Sequence, residues 1–226
     1  MTGDSIRACV FDAYGTLLDV HSAAARNAEL LGRDSAEISK LWRTKQLEYS
    51  WVHTLMRRHA DFWELTGAAL EYALAFYNVH DEGVKRALSE SYLSLDAYPE
   101  VPSVLKKLRA AGLKTAVLSN GSPFMLERAI NSAGIGDLLD ACLSIEEVRI
   151  YKPDPSAYRL ATASLSVRPS EVAFFSSNPW DAAGAQAFGF RPFWVNRSGQ
   201  PEEYGLRKKA TVLASLEDSV DRITSR

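Results

Sequence analysis

Three short apolar runs in this sequence are each followed by polar residues that could do chemistry. The runs have the length and composition of buried β-strands. The polar residues after them are Asp12, then Ser119 and Asn120, then Ser176, Ser177 and Asn178. In an open parallel sheet, ligands bind beyond the carboxyl ends of the strands, so we expect these residues to meet in one crevice. Ser and Asn also cap helices, which is the structural alternative for each of them taken alone.

Asp12 is the strongest candidate among these residues. A carboxylate at the end of a buried strand loses its water unless another group compensates the charge. The next residues, Ala13 to Thr16, have the composition of a tight turn and do not start an amphipathic helix, which favours a nucleophile over a helix cap. An aimed and partly desolvated aspartate can act as a covalent nucleophile.

Lys152 lies in the segment Tyr-Lys-Pro-Asp-Pro at 151–155. Prolines at this spacing fix an extended loop, so the lysine should be held in place. An ammonium group near Asp12 would keep that carboxylate ionised and would attract an anionic substrate. The alternative is a solvated surface charge, which is the usual environment of lysine.

Asp181 comes three residues after Asn178, where a helix is predicted to start. This position suits a site residue and a helix-capping acid equally well. The histidines match neither a metal-ligand spacing nor a triad spacing, so we assign them no chemistry and expect them to face solvent in the helical segment. They are His21, His53, His59 and His80.

The order of elements predicts the fold. A strand-like run at 6–12 is followed by helical periodicity without further strand-like runs over residues 22–95. Beyond it, helical patterns alternate with short apolar runs at 113–118, 141–144, 172–175 and 192–195. Such alternation predicts an α/β protein with a doubly wound, Rossmann-like parallel sheet. We predict a Rossmann-like catalytic core over 1–18 and 96–226, and an inserted helical cap domain over 19–95.

Composition limits the partners of the chain. A net charge of −2 and a pI near 6.1, with Lys and Arg scattered, give no footprint for nucleic acid or a charged membrane, so we expect a small-molecule substrate. The first apolar run is too short for a signal sequence or a membrane span. Cys9 and Cys142 lack the spacing of zinc or redox motifs, and we expect both to be reduced core residues of a cytoplasmic protein.

Four motifs together resemble the haloacid dehalogenase superfamily, in the order that the superfamily shows. They are Phe-Asp-Ala-Tyr-Gly-Thr-Leu at 11–17, Leu-Ser-Asn-Gly at 118–121, Tyr-Lys-Pro-Asp at 151–154 and Ser-Ser-Asn-Pro-Trp-Asp at 176–181. The segment Leu-Trp-Arg-Thr-Lys-Gln-Leu-Glu-Tyr at 41–49 also resembles the L-2-haloacid dehalogenase branch. Each motif alone is weak, but the set is specific, and the likeness covers about residues 6–220.

The resemblance implies that Asp12 is the nucleophile and that Arg43 accepts a departing halide. The other implied catalytic residues are Thr16 and Ser176, which would orient Asp12, Lys152, which would neutralise it, and Asn178 and Asp181, which would position and deprotonate a hydrolytic water. The implied substrate-binding residues are Ser119 and Asn120 for a carboxylate, Tyr158 in support of Lys152, and Tyr14, Leu47, Phe62 and Trp180 as an apolar wall. The resemblance implies a small halogenated carboxylic acid as substrate, halide as product, no cofactor or metal, and a homodimer.

Departures from the motif pattern separate two branches of the superfamily. Its phosphatases usually carry a second Asp two residues after the nucleophile, and further acids near the last motif to hold magnesium. This chain has Tyr14 and Ser-Ser-Asn at 176–178 in those places. A phosphoryl substrate brings several negative charges toward the aspartate, and without a metal ion their repulsion is poorly offset. A halide ion leaves without needing a proton, so a dehalogenase has no task for a second acid. The departures favour a dehalogenase, with a magnesium-dependent phosphatase or a non-catalytic protein that binds small acids as the alternatives.

Overall fold

Within residues 5–224, which the computed structural model describes, a six-stranded parallel sheet forms the centre of the protein. The strands lie in the order β3-β2-β1-β4-β5-β6. They are β1 (Ala8–Phe11), β2 (Lys114–Ser119), β3 (Ala141–Ser144), β4 (Val172–Ser176), β5 (Arg191–Val195) and β6 (Thr211–Leu213). The predicted doubly wound parallel sheet is confirmed. The sequence pattern missed β6, because three residues with an exposed central Val212 do not form a recognisable apolar run.

Helices alone form the regular structure of residues 22–95, as the periodicity predicted. They are α1 (Ser22–Arg26), α2 (Ala28–Leu31), α3 (Ser35–Leu55), α4 (Phe62–Phe76) and α5 (Glu82–Tyr92), with a 3₁₀ turn at Gly32–Asp34. The chain enters and leaves this segment at one point, where the Asp19 N–H donates to the Asp96 carbonyl at 2.8 Å. The division into a cap domain over 19–95 and a core remains a prediction.

The remaining helices cover both faces of the sheet. They are α6 (Val101–Ala110), α7 (Pro123–Ser132), α8 (Pro155–Leu165), α9 (Pro179–Phe188) and α10 (Glu217–Thr224). Cys9 and Phe11 of β1 join the hydrophobic cluster on one face, while Ala8 and Val10 join the cluster on the other. Alternate residues of a strand point to opposite faces, so a strand buried on both sides is apolar throughout until it ends. Asp12 is therefore the first polar residue beyond β1.

Two expectations about single residues are wrong. Cys142 is exposed, because it lies on the edge strand β3, whereas Cys9 is buried as expected. His59 does not face solvent, because its Nε2 lies 2.7 Å from Glu146 Oε2 where the helical segment packs on the core, and its side chain is only 9% exposed.

No helix in the described part of the chain is long and apolar enough to cross a membrane. Residues 1–4 belong to the N-terminal segment for which no export role was predicted, and they lie outside the described residues.

Candidate active site

Asp12 lies at the carboxyl end of β1 with both carboxylate oxygens engaged. The residue is 5% exposed. Lys152 Nζ donates to Asp12 Oδ1 at 3.0 Å, while Thr16 Oγ1 and Asn178 Nδ2 donate to Oδ2 at 3.2 and 2.7 Å. These donors come from three loops, and they converge because parallel strands end at the same edge of the sheet. These three hydrogen-bond donors hold the carboxylate in one orientation.

Lys152 is buried between two carboxylates, which contradicts the alternative of a solvated surface charge. It is 1% exposed, and its Nζ lies 3.0 Å from Asp12 Oδ1 and 2.9 Å from Asp181 Oδ2. Its backbone N–H donates to Asn120 Oδ1 at 3.0 Å, which ties the loop to the end of β2. Burial alone would lower the pKa of Lys152, but the charges of Asp12 and Asp181 outweigh it and raise the pKa above its ordinary value. The ammonium form is therefore the stable one.

Asp181 bonds to side chains at the end of the sheet and does not cap its own helix. It lies in the first turn of α9, fully buried, and its carboxylate accepts from Lys152 Nζ and from the Tyr158 hydroxyl, the latter at 2.7 Å. Burial raises the pKa of Asp181, the Lys152 ammonium opposes that rise, and the nearby Asp12 charge adds to it. A carboxylate with a raised pKa is a better proton acceptor than an ordinary one.

The two predicted site serines bind backbone N–H groups. Ser119 Oγ accepts from the Gly121 N–H at 3.0 Å, and Ser176 Oγ accepts from the Asn178 N–H at 3.1 Å. Both serines are fully buried. A hydroxyl that accepts one bond keeps its own hydrogen for another partner. Ser176 thus acts on Asp12 through Asn178, and Ser119 keeps a donor at the end of β2.

Arg43 reaches the core from the middle of α3. Its Nη2 donates to the Tyr14 carbonyl at 3.2 Å, and its Nη1 donates to Gln46 Oε1 at 2.7 Å. Gln46 is fully buried, and its amide also accepts from the Tyr92 hydroxyl at 3.1 Å and donates to Thr66 Oγ1 at 2.6 Å. A buried hydrogen-bonded network therefore holds the guanidinium beside the turn that follows Asp12. Sequence reasoning missed Gln46 and Tyr92, because a helical repeat does not show which inward polar residue supports another.

The four residues of the predicted apolar wall are only partly brought together. Tyr14 and Phe62 are buried, with ring centroids 6.4 Å apart. Trp180 is half-buried and meets Trp51 of α3 edge-on, with centroids 5.4 Å apart. Leu47 is half-buried on α3, one turn after Arg43. The rings of Tyr14 and Phe62 form one contiguous surface, and the roles of Trp180 and Leu47 remain predictions.

Sequence reasoning also missed Arg197, which joins the two loops that carry the partners of Asp12. Its Nη1 donates to Ser177 Oγ at 2.9 Å, and its Nη2 donates to the Thr16 carbonyl at 3.1 Å. The same Nη2 lies 2.7 Å from Glu100 Oε1. Arg197 follows β5 closely, so its position after a strand is the sequence signal that marks it as a site candidate.

Among the described residues, no group of three or more His, Cys, Asp or Glu side chains is placed to hold a metal ion. This absence does not test whether the reaction needs a metal ion. A metal-free reaction remains a prediction, derived from the residue types at positions 14 and 176–178. The centre of the site contains the Lys152 ammonium, the Arg43 guanidinium and the carboxylates of Asp12 and Asp181, with hydroxyl and amide donors around them.

Comparison with known proteins gives the family. A sequence model of the haloacid dehalogenase-like hydrolase family matches residues 6–189. (S)-2-haloacid dehalogenase 4A of Burkholderia cepacia is 52% identical over 202 residues, which is 89% of this chain and 87% of that protein. The crystal structure of a dehalogenase has a TM-score of 0.96 at 47% identity and covers 99% of both chains. The structure of L-2-haloacid dehalogenase from Xanthobacter autotrophicus with covalently bound chloropropionic acid has a TM-score of 0.89 at 37% identity, over 96% of this chain and 98% of that one. The chain therefore belongs to the haloacid dehalogenase-like hydrolase family, and the resemblance to L-2-haloacid dehalogenases seen in its motifs is confirmed.

Proposed function

We propose that this protein hydrolyses L-2-haloacids to D-2-hydroxy acids and halide, and haloacetates to glycolate and halide, with Asp12 as a covalent nucleophile. The observation that carries the proposal is the buried Asp12 carboxylate, fixed by Lys152, Thr16 and Asn178, with the Arg43 guanidinium bonded to the adjacent turn. Two of the relatives named above are 2-haloacid dehalogenases, and the structure of one of them contains covalently bound chloropropionic acid.

In the first step, an oxygen of the Asp12 carboxylate attacks C2 of the acid from the side opposite the halogen. The carbon–halogen bond breaks with its electron pair on the halide, and an aspartyl ester of inverted configuration forms. Holding nucleophile and carbon at near-attack distance lowers a barrier by roughly 7–11 kcal/mol. Arg43 is the group that meets the growing halide charge, and guanidinium stays protonated at any working pH.

In the second step, water attacks the carbonyl carbon of the Asp12 ester. Asp181 takes the proton from that water, and the proton returns to the alkoxide oxygen when the ester bond breaks. Asn178 positions the water. Because the ester is cleaved at the carbonyl of the enzyme, the product keeps the inverted centre at C2. An L-acid therefore gives a D-hydroxy acid.

The other residues bind the substrate or support the charged groups. Ser119 and Asn120 receive the substrate carboxylate at the end of β2, where Ser119 keeps a hydroxyl hydrogen to donate. Thr16 and Ser176 orient Asp12 directly and through Asn178. Tyr158 supports Lys152 through the carboxylate that both contact, Asp181. The apolar wall around C2 consists of Tyr14, Leu47, Phe62 and Trp180.

A magnesium-dependent phosphatase is the nearest alternative, and the residues present do not favour it. A phosphate ester needs a proton for its alkoxide leaving group and a cation against its several charges. Position 14 holds a buried tyrosine, and position 177 holds a serine whose hydroxyl accepts from Arg197. The second alternative is a protein that binds small acids without catalysis. Release of halide from a 2-haloacid distinguishes the proposed enzyme from it.

Single-turnover hydrolysis in heavy-oxygen water tests the covalent step. We expect the label to enter the Asp12 carboxylate in the first turnover and to reach the hydroxy acid only in later ones. A labelled product after one turnover would mean that water attacks C2 directly, and the proposal would then be wrong. Asp12→Asn should abolish halide release while the protein keeps its far-ultraviolet circular dichroism, and its mass should be checked for deamidation back to aspartate.

A homodimer in the cytoplasm completes the proposal. Large apolar side chains are exposed along the helical segment, and a partner copy would cover them. They are Val52, Leu55 and Met56 on or just after α3, and Tyr72 and Phe76 on α4. Light scattering of the purified protein should give twice the chain mass of 25.0 kDa. Leu55→Lys, at the most exposed of these positions, should reduce that mass to the monomer value.

A further inference from the structure

The hydroxyl of Tyr14 is buried without a hydrogen-bond partner in the described part of the chain. The residue is 2% exposed, and its hydroxyl oxygen is closed to solvent. Buried polar groups in folded proteins are nearly always paired, so an unpaired one needs a physical reason. Phenylalanine would serve an apolar wall equally well and would not bury an unpaired hydroxyl. The hydroxyl is therefore the part of Tyr14 that the wall role does not explain.

The position of this hydroxyl is well defined. The Tyr14 ring stacks on Tyr92 with centroids 5.7 Å apart and planes 9° from parallel. The ring also approaches Gly121 so closely that a Cβ there would lie 2.7 Å from Tyr14 Cε2 and 3.2 Å from the hydroxyl oxygen. The N–H of Gly121 donates to Ser119 Oγ at 3.0 Å. The hydroxyl consequently lies beside the end of β2, where Ser119 and Asn120 are proposed to receive the substrate carboxylate.

The protonation state of Tyr14 suits a donor. Burial raises the pKa of Tyr14 well above its ordinary value, and the nearby Tyr92, Cys142 and Asp12 act in the same direction, while Arg43 opposes them. The phenol therefore stays neutral at physiological pH and keeps its hydrogen. A neutral hydroxyl donating to a carboxylate makes one of the stronger kinds of hydrogen bond in proteins.

We infer that the Tyr14 hydroxyl donates a hydrogen bond to the carboxylate of the substrate, next to Ser119. This inference rests on the proposed function, because it assumes that the ligand is a carboxylic acid. It gives Tyr14 two roles: the ring bounds the space around C2, and the hydroxyl fixes the carboxylate from above Gly121. The bound acid supplies the acceptor that the buried hydroxyl lacks, and this hydrogen bond increases the affinity of the protein for the substrate carboxylate.

Equilibrium binding of propionate tests the inference, because propionate has the carboxylate and cannot react. Tyr14→Phe removes one oxygen atom. We expect it to weaken propionate binding by roughly 10- to 100-fold in calorimetric titration, as for other hydrogen bonds to charged groups. The ligand-free variant should melt at the same temperature as the unmodified protein or higher, since it no longer buries an unpaired hydroxyl.

Tyr151→Phe is the matched control. Tyr151 is also buried in this region, but its hydroxyl donates to the Ala60 carbonyl. Removing that hydroxyl should lower the melting temperature and leave propionate affinity unchanged. Gly121→Ala is a second variant that keeps the hydroxyl but forces the Tyr14 ring to move, and it should also weaken propionate binding.

Three outcomes would overturn the inference. In the first, Tyr14→Phe binds propionate within twofold of the affinity of the unmodified protein, and in the second, the unmodified protein does not bind propionate. In the third, bromide inhibits Tyr14→Phe more weakly than the unmodified protein while propionate affinity is intact. The last result would assign the hydroxyl to the leaving halide. Failure of the proposed function looks different, because the unmodified protein would then release no halide from 2-chloropropionate. Propionate titration compares the two proteins whether or not turnover occurs.

Discussion

The two halves of the site are built differently. On the core side, Asp12, Lys152 and Asp181 form one buried chain of charges in which each ammonium–carboxylate contact is direct. On the helical side, the single charge is Arg43, and neutral groups hold it through Gln46 and a backbone carbonyl. The core half keeps its charges fixed against each other. The helical half keeps one cation without a carboxylate partner in the described contacts, so its charge remains for an incoming anion.

The two halves should therefore control different properties of the protein. Buried charges that compensate each other are costly to separate, so the core half should govern both folding and the nucleophile. A guanidinium held by neutral acceptors keeps its full field, so the helical half should govern the leaving group with less effect on stability. Substitutions in the core half should therefore change both stability and activity, whereas substitutions in the helical half should change mainly activity.

Removing the shared ammonium should have the largest effect. Lys152→Met leaves Asp12 and Asp181 buried without their cation. We expect halide release to be lost and the free energy of unfolding to fall by about 3–5 kcal/mol, measured by urea titration. Lys40→Met is the control, because Lys40 pairs with Glu37 on an exposed helix face and should change neither quantity appreciably. Near-normal stability of Lys152→Met would show that the charges are not mutually dependent.

Arg197 should affect the rate without affecting substrate affinity. It binds the loops of Thr16 and Ser177 and not the space in front of Asp12. Arg197→Met should lower kcat roughly 10- to 100-fold with KM nearly unchanged, because small displacements of a nucleophile are that costly. Arg197→Lys should recover little, since an ammonium cannot reproduce the planar fork of donors. An increase in KM without a fall in kcat would place Arg197 in substrate binding instead.

Replacing Gln46, which belongs to the helical half, should lower the reaction rate without changing the affinity for the acid. Gln46→Leu removes the acceptor of Arg43 and of the Tyr92 hydroxyl while keeping the side-chain volume similar. We expect kcat to fall roughly tenfold, as Arg43 loses its fixed position, and propionate affinity to stay unchanged. Gln200→Leu, at an exposed loop position, is the control and should leave kcat unchanged. A larger loss of propionate affinity than of kcat would contradict the division between the two halves.

The core half was predictable from the sequence, and the helical half was not. The strand-end rule found Asp12, Ser119, Asn120, Ser176 and Asn178, because parallel strands end at one edge whatever the details of packing. Lys152 was singled out by its prolines. On the helical side, periodicity shows which residues face inward but not what they meet across the seam. Arg43 came from the family resemblance, and Gln46 was found only in the structure.

Two kinds of error have physical causes. β6 was missed because its three residues lack the length that marks a strand in sequence. Cys142 and His59 were misplaced because burial at a sheet edge or at a seam depends on neighbours far away in the chain. Cys142 is exposed because β3 lies at the edge of the sheet, and His59 is shielded from solvent where it contacts Glu146.

The smallest effect predicted is a shift in pH dependence, and it tests whether the core charges act as one unit. The Tyr158 hydroxyl donates to Asp181 and lowers the pKa of that carboxyl, against the burial that raises it. If Asp181 must be ionised to accept a proton, activity is lost as pH falls through its raised pKa. Tyr158→Phe removes a group that stabilises the carboxylate, so the pKa of Asp181 should rise further. The acidic limb of the kcat profile should therefore move to higher pH, while the alkaline limb stays in place. A limb that moves to lower pH, or does not move, would mean that Asp181 is not the proton acceptor in the rate-limiting step.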